Sequence, residues 1–136
     1  MASYWSETWT PTVSDRKKLQ AFELWCWRRL LRISWKEKVP NTQVLKIVNN
    51  PTPLDAIILR RKLVFFGHIT RHESMEQDLM LNMVEGKRSR GRQRTRWLDE
   101  VKEMVRCGMQ GLRETVADRY KWRERVDEIA RSRPRL

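Results

Sequence analysis

Cysteine is almost missing from this chain. Cys26 and Cys107 are the only two in 136 residues, too few for a disulfide scaffold and without the paired Cys-x2-Cys spacing of a structural zinc site. Both fall in amphipathic helical patterns and read as reduced, buried thiols. Long apolar runs are missing too: none approaches the roughly 20 residues of a membrane-spanning helix, and the first residues carry no signal-peptide core. We therefore expect an intracellular protein, nuclear or shared between nucleus and cytoplasm, with no membrane partner. Negative charge is scarce: 17 Asp and Glu stand against 29 Lys and Arg, a net charge of +12 with a pI near 10.5. That excess implies an anionic partner or non-specific adhesion and says nothing about fold. What remains, 40% hydrophobic residues including seven Trp, is enough for the core of one ordinary domain.

The positive charge is concentrated. Gly86-Lys87-Arg88-Ser89-Arg90-Gly91-Arg92-Gln93-Arg94-Thr95-Arg96 contains six cations and no carboxylate, half of the chain's net +12. Gly86 and Gly91 disfavour a regular helix there, so the stretch reads as a loop. Guanidinium groups pair bidentately with phosphate and stack on bases. Lys87, Arg88, Arg90, Arg92, Arg94 and Arg96 are thus the first candidates for nucleic-acid contact. A solvated basic loop or a nuclear-import signal is the plainer alternative. The Arg-Gly-Arg core also suggests reading of a narrow A·T minor groove, but Gln93 stands where proline would keep that strand extended.

Apolar periodicity predicts an all-α fold, a small bundle of five to seven helices carrying the Arg-rich loop. Residues 1–13 form a Ser/Thr-rich extension, partly disordered or wrapped over the core; 14–133 form a single helical domain; 134–136 are a tail. Ser14 reads as the N-cap of a first helix whose stripe is Leu19, Phe22, Cys26, Leu30 and Ile33. Arg28, Arg29 and Arg32 lie off that stripe as a solvated face or a second strip of phosphate contacts. A short helix over 42–48 follows Pro40. Residues 54–72 are apolar on nearly every side and interrupted only by Arg60-Arg61-Lys62, which predicts a central, buried helix. Ser74 caps a Met-bearing helix ending at Gly86. Thr95 caps another with Trp97, Leu98, Val101, Met104 and Val105 on one face. Two last helices, 111–117 and 118–131, carry Leu112 and Val116, then Trp122, Val126 and Ile129.

Several phrases together resemble the C-terminal tail of the polyprotein of non-LTR (LINE-type, RTE-like) retrotransposon endonuclease–reverse transcriptases. They begin with Ser6-Glu7-Thr8-Trp9-Thr10 and Ala21-Phe22-Glu23-Leu24-Trp25-Cys26-Trp27-Arg28-Arg29-Leu30-Leu31-Arg32-Ile33-Ser34-Trp35. Arg60-Arg61-Lys62-Leu63, Phe66-Gly67-His68-Ile69, Gly86-Lys87-Arg88 with Gly91-Arg92, and Thr95-Arg96-Trp97-Leu98-Asp99 follow in order. Asp118-Arg119 with Trp122-Arg123 completes a set spanning nearly the whole chain. The resemblance implies a module lying beyond the polymerase palm and thumb that helps hold RNA or target DNA. The palm's aromatic-Ala-Asp-Asp carboxylates and the nuclease domain are absent here, so nothing clusters carboxylates for two Mg²⁺. The expectation is a binding module, not an enzyme.

Arg60, Arg61 and Lys62, with Arg28, Arg29, Arg32 and Trp35, form the secondary set of nucleic-acid candidates. Trp25, Trp27, Trp35, Trp97 and Trp122 are available as stacking platforms; Trp97 and Trp122 read as core, Trp35 as accessible. His68 and His72 are spaced as metal-binding pairs often are. No carboxylate or Cys-x2-Cys accompanies them, so no metal or cofactor is assigned, and His68 reads as packed near the core with His72 exposed. A Cys/His nucleophile would lack an orienting group and an oxyanion loop. Partners are RNA or DNA, with another protein or a second copy as the alternative, through apolar helix faces left uncovered. A relic reading frame without a selected role is the third reading.

Overall fold

The computed structural model describes residues 6–72, 75–80, 96–106 and 108–135. Among these there are seven α-helices and no strand: α1 Val13–Leu30, α2 Asn41–Ile47, α3 Leu54–Arg71, α4 Met75–Met80, α5 Trp97–Val105, α6 Met109–Ala117 and α7 Arg119–Ser132. Single 3-10 turns occur at Ser6–Thr8 and Trp35–Glu37. The all-α expectation holds. The loop residues Lys87, Arg88, Arg90, Arg92 and Arg94, the caps expected at Ser74 and Thr95, the stop at Gly86 and the thiol of Cys107 lie outside the described residues.

The chain divides into two compact units. One comprises Pro11–Ile57 with the residues from Arg133 onward; the other comprises Ile58–Ser132 with the residues up to Thr10. α3 begins in the first and continues through the second.

The first unit is built around carboxylates. α1 starts two residues earlier than expected because Thr12, not Ser14, is its cap. The Thr12 hydroxyl accepts from the Asp15 N–H at 3.2 Å, while the Asp15 carboxylate accepts from the Thr12 N–H at 3.0 Å, a reciprocal capping box. The apolar stripe expected of α1 is only partly covered: Leu19, Cys26 and Ile33 are half-buried, whereas Phe22 is 48% and Leu30 71% exposed, as is Trp25 beside them at 55%. The buried residues of the helix are Gln20 and Glu23. Distant partners account for the second. Glu23 accepts two hydrogen bonds from the Arg135 guanidinium, at 3.0 and 3.2 Å, and one from the Leu54 N–H at 3.3 Å. Asp55, also buried, lies 3.0 Å from Arg16 and 3.5 Å from Arg133. A buried carboxylate must be paired or it is strongly destabilising, and both of these meet guanidinium groups. Val44 of α2 and Ala56 of α3 supply buried apolar surface.

The second unit has a conventional hydrophobic core. Leu59, Leu63, Phe66 and Ile69 of α3 pack with Trp97, Leu98, Val101 and Val105 of α5, and with Leu112, Val116, Trp122 and Val126 of α6 and α7. The Phe66 ring lies 6.0 Å from Trp97 and 5.7 Å from Trp122, spacings at which aromatic pairs attract. Both indole N–H groups are satisfied: Trp97 donates to the Glu7 carbonyl at 2.7 Å and Trp122 to the Leu63 carbonyl at 3.1 Å. The first of these bonds holds the turn at Ser6–Thr8, where Ser6 is buried. Gly67 is where α3 passes Trp122; a Cβ there would lie inside the indole. α3 is not buried all round, since Ile57, Arg60, Arg61, Val64 and His68 form an exposed row, following the i, i+3/i+4 spacing of one helix face. α7 begins at a capped end, the Asp118 carboxylate accepting from the N–H groups of Tyr120 and Lys121 at 3.0 and 3.1 Å.

Candidate nucleic-acid interface

Four of the candidate residues are brought together. Beyond the last turn of α1, a cleft of about 670 Å³ is lined by Trp25, Arg28, Arg29 and Arg32, by Ile33, Ser34 and Trp35, and by Lys38 and Val39. Arg28, Arg29, Arg32 and Trp35 belong to the secondary set of nucleic-acid candidates; Trp25, expected only as a stacking platform, and Lys38, which was not expected, complete the lining. The lining has four cations, two indoles and no carboxylate.

Backbone geometry produces this gathering. α1 ends with the Ile33 N–H bonded to the Arg28 carbonyl at 2.9 Å and the Arg32 N–H to the Arg29 carbonyl at 3.2 Å, the paired bonds of a Schellman motif. The residue that reverses the chain in such a motif is usually glycine; here it is Arg32, at φ 56°. Ser34 then caps the 3-10 turn, accepting from the Lys36 N–H at 3.3 Å while Glu37 accepts from the Ser34 N–H at 2.7 Å. That turn ends at Lys38, which is also left-handed at φ 49°. A non-glycine residue in this region costs roughly 1 kcal/mol, and here two such residues place cations on the same cleft. Backbone strain of this kind elsewhere concentrates at functional positions, although Asn49, Asn50 and Arg106, none of which lines this cleft, are left-handed as well.

The side chains differ in their freedom. Arg28 is a fixed post: its Nη2 donates to the Val39 carbonyl at 2.7 Å and to Asn41 Oδ1 at 2.8 Å, tying α1 to the start of α2. Trp25 stacks with Phe22 at 6.1 Å between centroids, and the Arg29 guanidinium lies 5.7 Å from the centre of its ring, a cation–π distance. Trp35 is 84% exposed, so it forgoes most of the roughly 1.5–3 kcal/mol that burying a large apolar side chain contributes. It is nevertheless held on a doubly capped turn.

The remaining candidates are dispersed. Arg96 is half-buried just ahead of α5, where its N–H donates to Asp99 at 3.3 Å. Arg60 pairs with Asp127 at 2.8 Å. Arg61 is exposed and lines a second hollow, of about 440 Å³, with Glu7, Val64, Phe65 and His68. Lys62 is not at the surface: it is 2% exposed and ion-paired with Glu100. The helix turns about 100° per residue, so three adjacent cations cannot share a face. His68 and His72 are both exposed, their rings 4.5 Å apart; His68 is thus outside the core where it was expected. No cluster of three or more His, Cys, Asp or Glu suited to a metal occurs among the described residues. Cys26 is half-buried rather than buried. Burial holds the Arg71 guanidinium pKa below its ordinary value, and the charge of Arg119 adds to the effect; Arg71 donates to the Val116 carbonyl at 3.1 Å.

No helix of the described residues is long and apolar enough to cross a membrane. No family model, curated protein or solved structure matches the chain.

Proposed function

We propose that the chain is a non-catalytic nucleic-acid-binding module that holds the phosphate backbone of RNA or DNA, as its resemblance to a retrotransposon tail implies. The observation that carries this reading is the cleft beyond α1, where four cations and two indoles meet without a carboxylate. An anionic, flat-faced ligand complements that lining, and nucleic acid combines both properties. The six cations between Gly86 and Arg96 add a second, sequence-distant source of phosphate contacts. Binding by cation–phosphate pairing has slight sequence preference, because base edges are not read.

Fluorescence-anisotropy titration against single-stranded RNA, single-stranded DNA and duplex DNA at about 50 and about 200 mM salt tests it. Counterion release by several phosphate contacts changes affinity by orders of magnitude over that window. Micromolar or tighter binding with a steep salt slope is the expected result, flattened when Arg88, Arg90 and Arg92 are replaced by Ala. Absence of binding at the lower salt would overturn the reading. Exposed Phe22, Trp25 and Leu30 on α1 favour a second reading, a protein-interaction fragment, marked by concentration-dependent self-association without nucleic-acid binding.

A further inference from the structure

We infer that the cleft beyond α1 takes one unpaired nucleotide of a single strand, its base stacked on Trp35 and its phosphate held by Arg29, Arg32 and Lys38. The inference rests on the nucleic-acid reading and goes further, since it gives the site a strand type and each residue a task. The two indoles are not equivalent. Trp25 is engaged by Phe22 and by the Arg29 guanidinium, and serves as a wall that aims Arg29. Trp35 has no ring or cation partner among the described residues and is 84% exposed, and the backbone turn that carries it is closed by the reciprocal Ser34–Glu37 capping bonds. An open indole on a braced turn offers a stacking face at a defined place on the cleft.

The cations surround that platform. Arg28 is committed to Val39 and Asn41 and positions the chain, while Arg32 and Lys38 reach the cleft from left-handed backbone positions on either side of Trp35. A cleft of about 670 Å³ has ligand-site dimensions. Aromatic stacking requires an accessible base face, which a duplex hides within its own stack. The aromatic part of the site therefore acts only on single strands, whereas the cations act on any phosphate backbone.

The test uses the full chain and four probes: a single-stranded oligonucleotide of mixed sequence, an abasic phosphodiester strand of the same length, a duplex, and a mononucleotide competitor. Trp35→Ala should weaken binding of the base-bearing strand about tenfold, within the range of base–aromatic stacking, and leave the abasic strand and duplex nearly unchanged. Trp35→Phe should restore most of the loss. Arg32→Gly and Lys38→Gly suit their backbone conformations, so the fold survives, and they should weaken all three polymers and reduce the salt slope. Equal losses on all three polymers with Trp35→Ala, or no loss, would overturn the inference while leaving the nucleic-acid reading intact. A mononucleotide binding as tightly as the strand would overturn the assignment to a polymer. Failure of the unmodified chain to bind any probe would remove both readings together.

Discussion

α1 and α3 are both eighteen residues long and both carry aromatic and cationic residues, yet they use them oppositely. α3 buries Leu63 and Phe66 completely and turns Arg60 and Arg61 outward. α1 buries Gln20 and Glu23 and leaves Phe22, Trp25 and Leu30 exposed. The difference lies in what the rest of the chain offers each helix. α3 meets the apolar faces of α5, α6 and α7, whereas α1 meets Arg135 and the free N–H at the start of α3. A helix's inner face is thus decided by its partners as much as by its own hydrophobic pattern. Turning Glu23 inward sets aromatic and basic residues outward together.

The comparison can be broken most directly by removing one phenyl group from each helix. Phe66→Ala should cost about 3–5 kcal/mol, the usual range for a buried phenylalanine, whereas half-exposed Phe22→Ala should cost about 1 kcal/mol. Denaturant unfolding of the two variants checks this, and equal costs would refute the outward placement of Phe22 on α1. Next in size is the ion pair inside the apolar unit. Glu100→Ala leaves the buried Lys62 ammonium without its carboxylate, which typically costs about 3–5 kcal/mol; replacing both residues by apolar ones of similar volume should recover most of it.

A smaller effect is expected with acid. Asp15 is held below the usual 3.8 first by the Thr12 side-chain hydrogen bond, and Asp118 first by the Lys121 backbone N–H. A carboxyl whose folded pKa is depressed contributes stability that is fully present above the ordinary value and is lost as pH falls through the lower one. The caps' contribution should therefore be flat from neutrality to about pH 4 and decline below it. Thr12→Ala and Asp118→Ala should each weaken that decline in circular-dichroism melts. The smallest change is favourable: Arg32→Gly relieves the left-handed position and should stabilise the fold by up to about 1 kcal/mol while it weakens nucleic-acid binding. Stability and function would then be in opposition at that position.

α5 was the most legible element. Trp97, Leu98, Val101, Met104 and Val105 recur at helical spacing, and all are buried or half-buried. The gathering of Arg28, Arg29, Arg32 and Trp35 was half legible: residue types and proximity in sequence suggested it, but the Schellman reversal at an arginine did not. A search for glycine passes over Arg32, and nothing local marks Lys38 as its counterpart. The orientation of α1 was illegible for a different reason. Its deciding partner, Arg135, lies 112 residues away, and hydrophobic periodicity carries no record of so distant an ion pair. Lys62 misleads similarly, since the adjacent arginines suggest a surface patch while its partner Glu100 is on another helix.

The most direct measurement follows the seven tryptophan indole N–H resonances by NMR as a short single-stranded oligonucleotide is added. Trp97 and Trp122 serve as internal references, because their N–H groups are bonded to Glu7 and Leu63 within the fold. The account predicts that the Trp35 resonance, assigned through Trp35→Phe, moves most and in proportion to binding, with the two reference signals nearly still. Saturable binding that leaves Trp35 unmoved would contradict it.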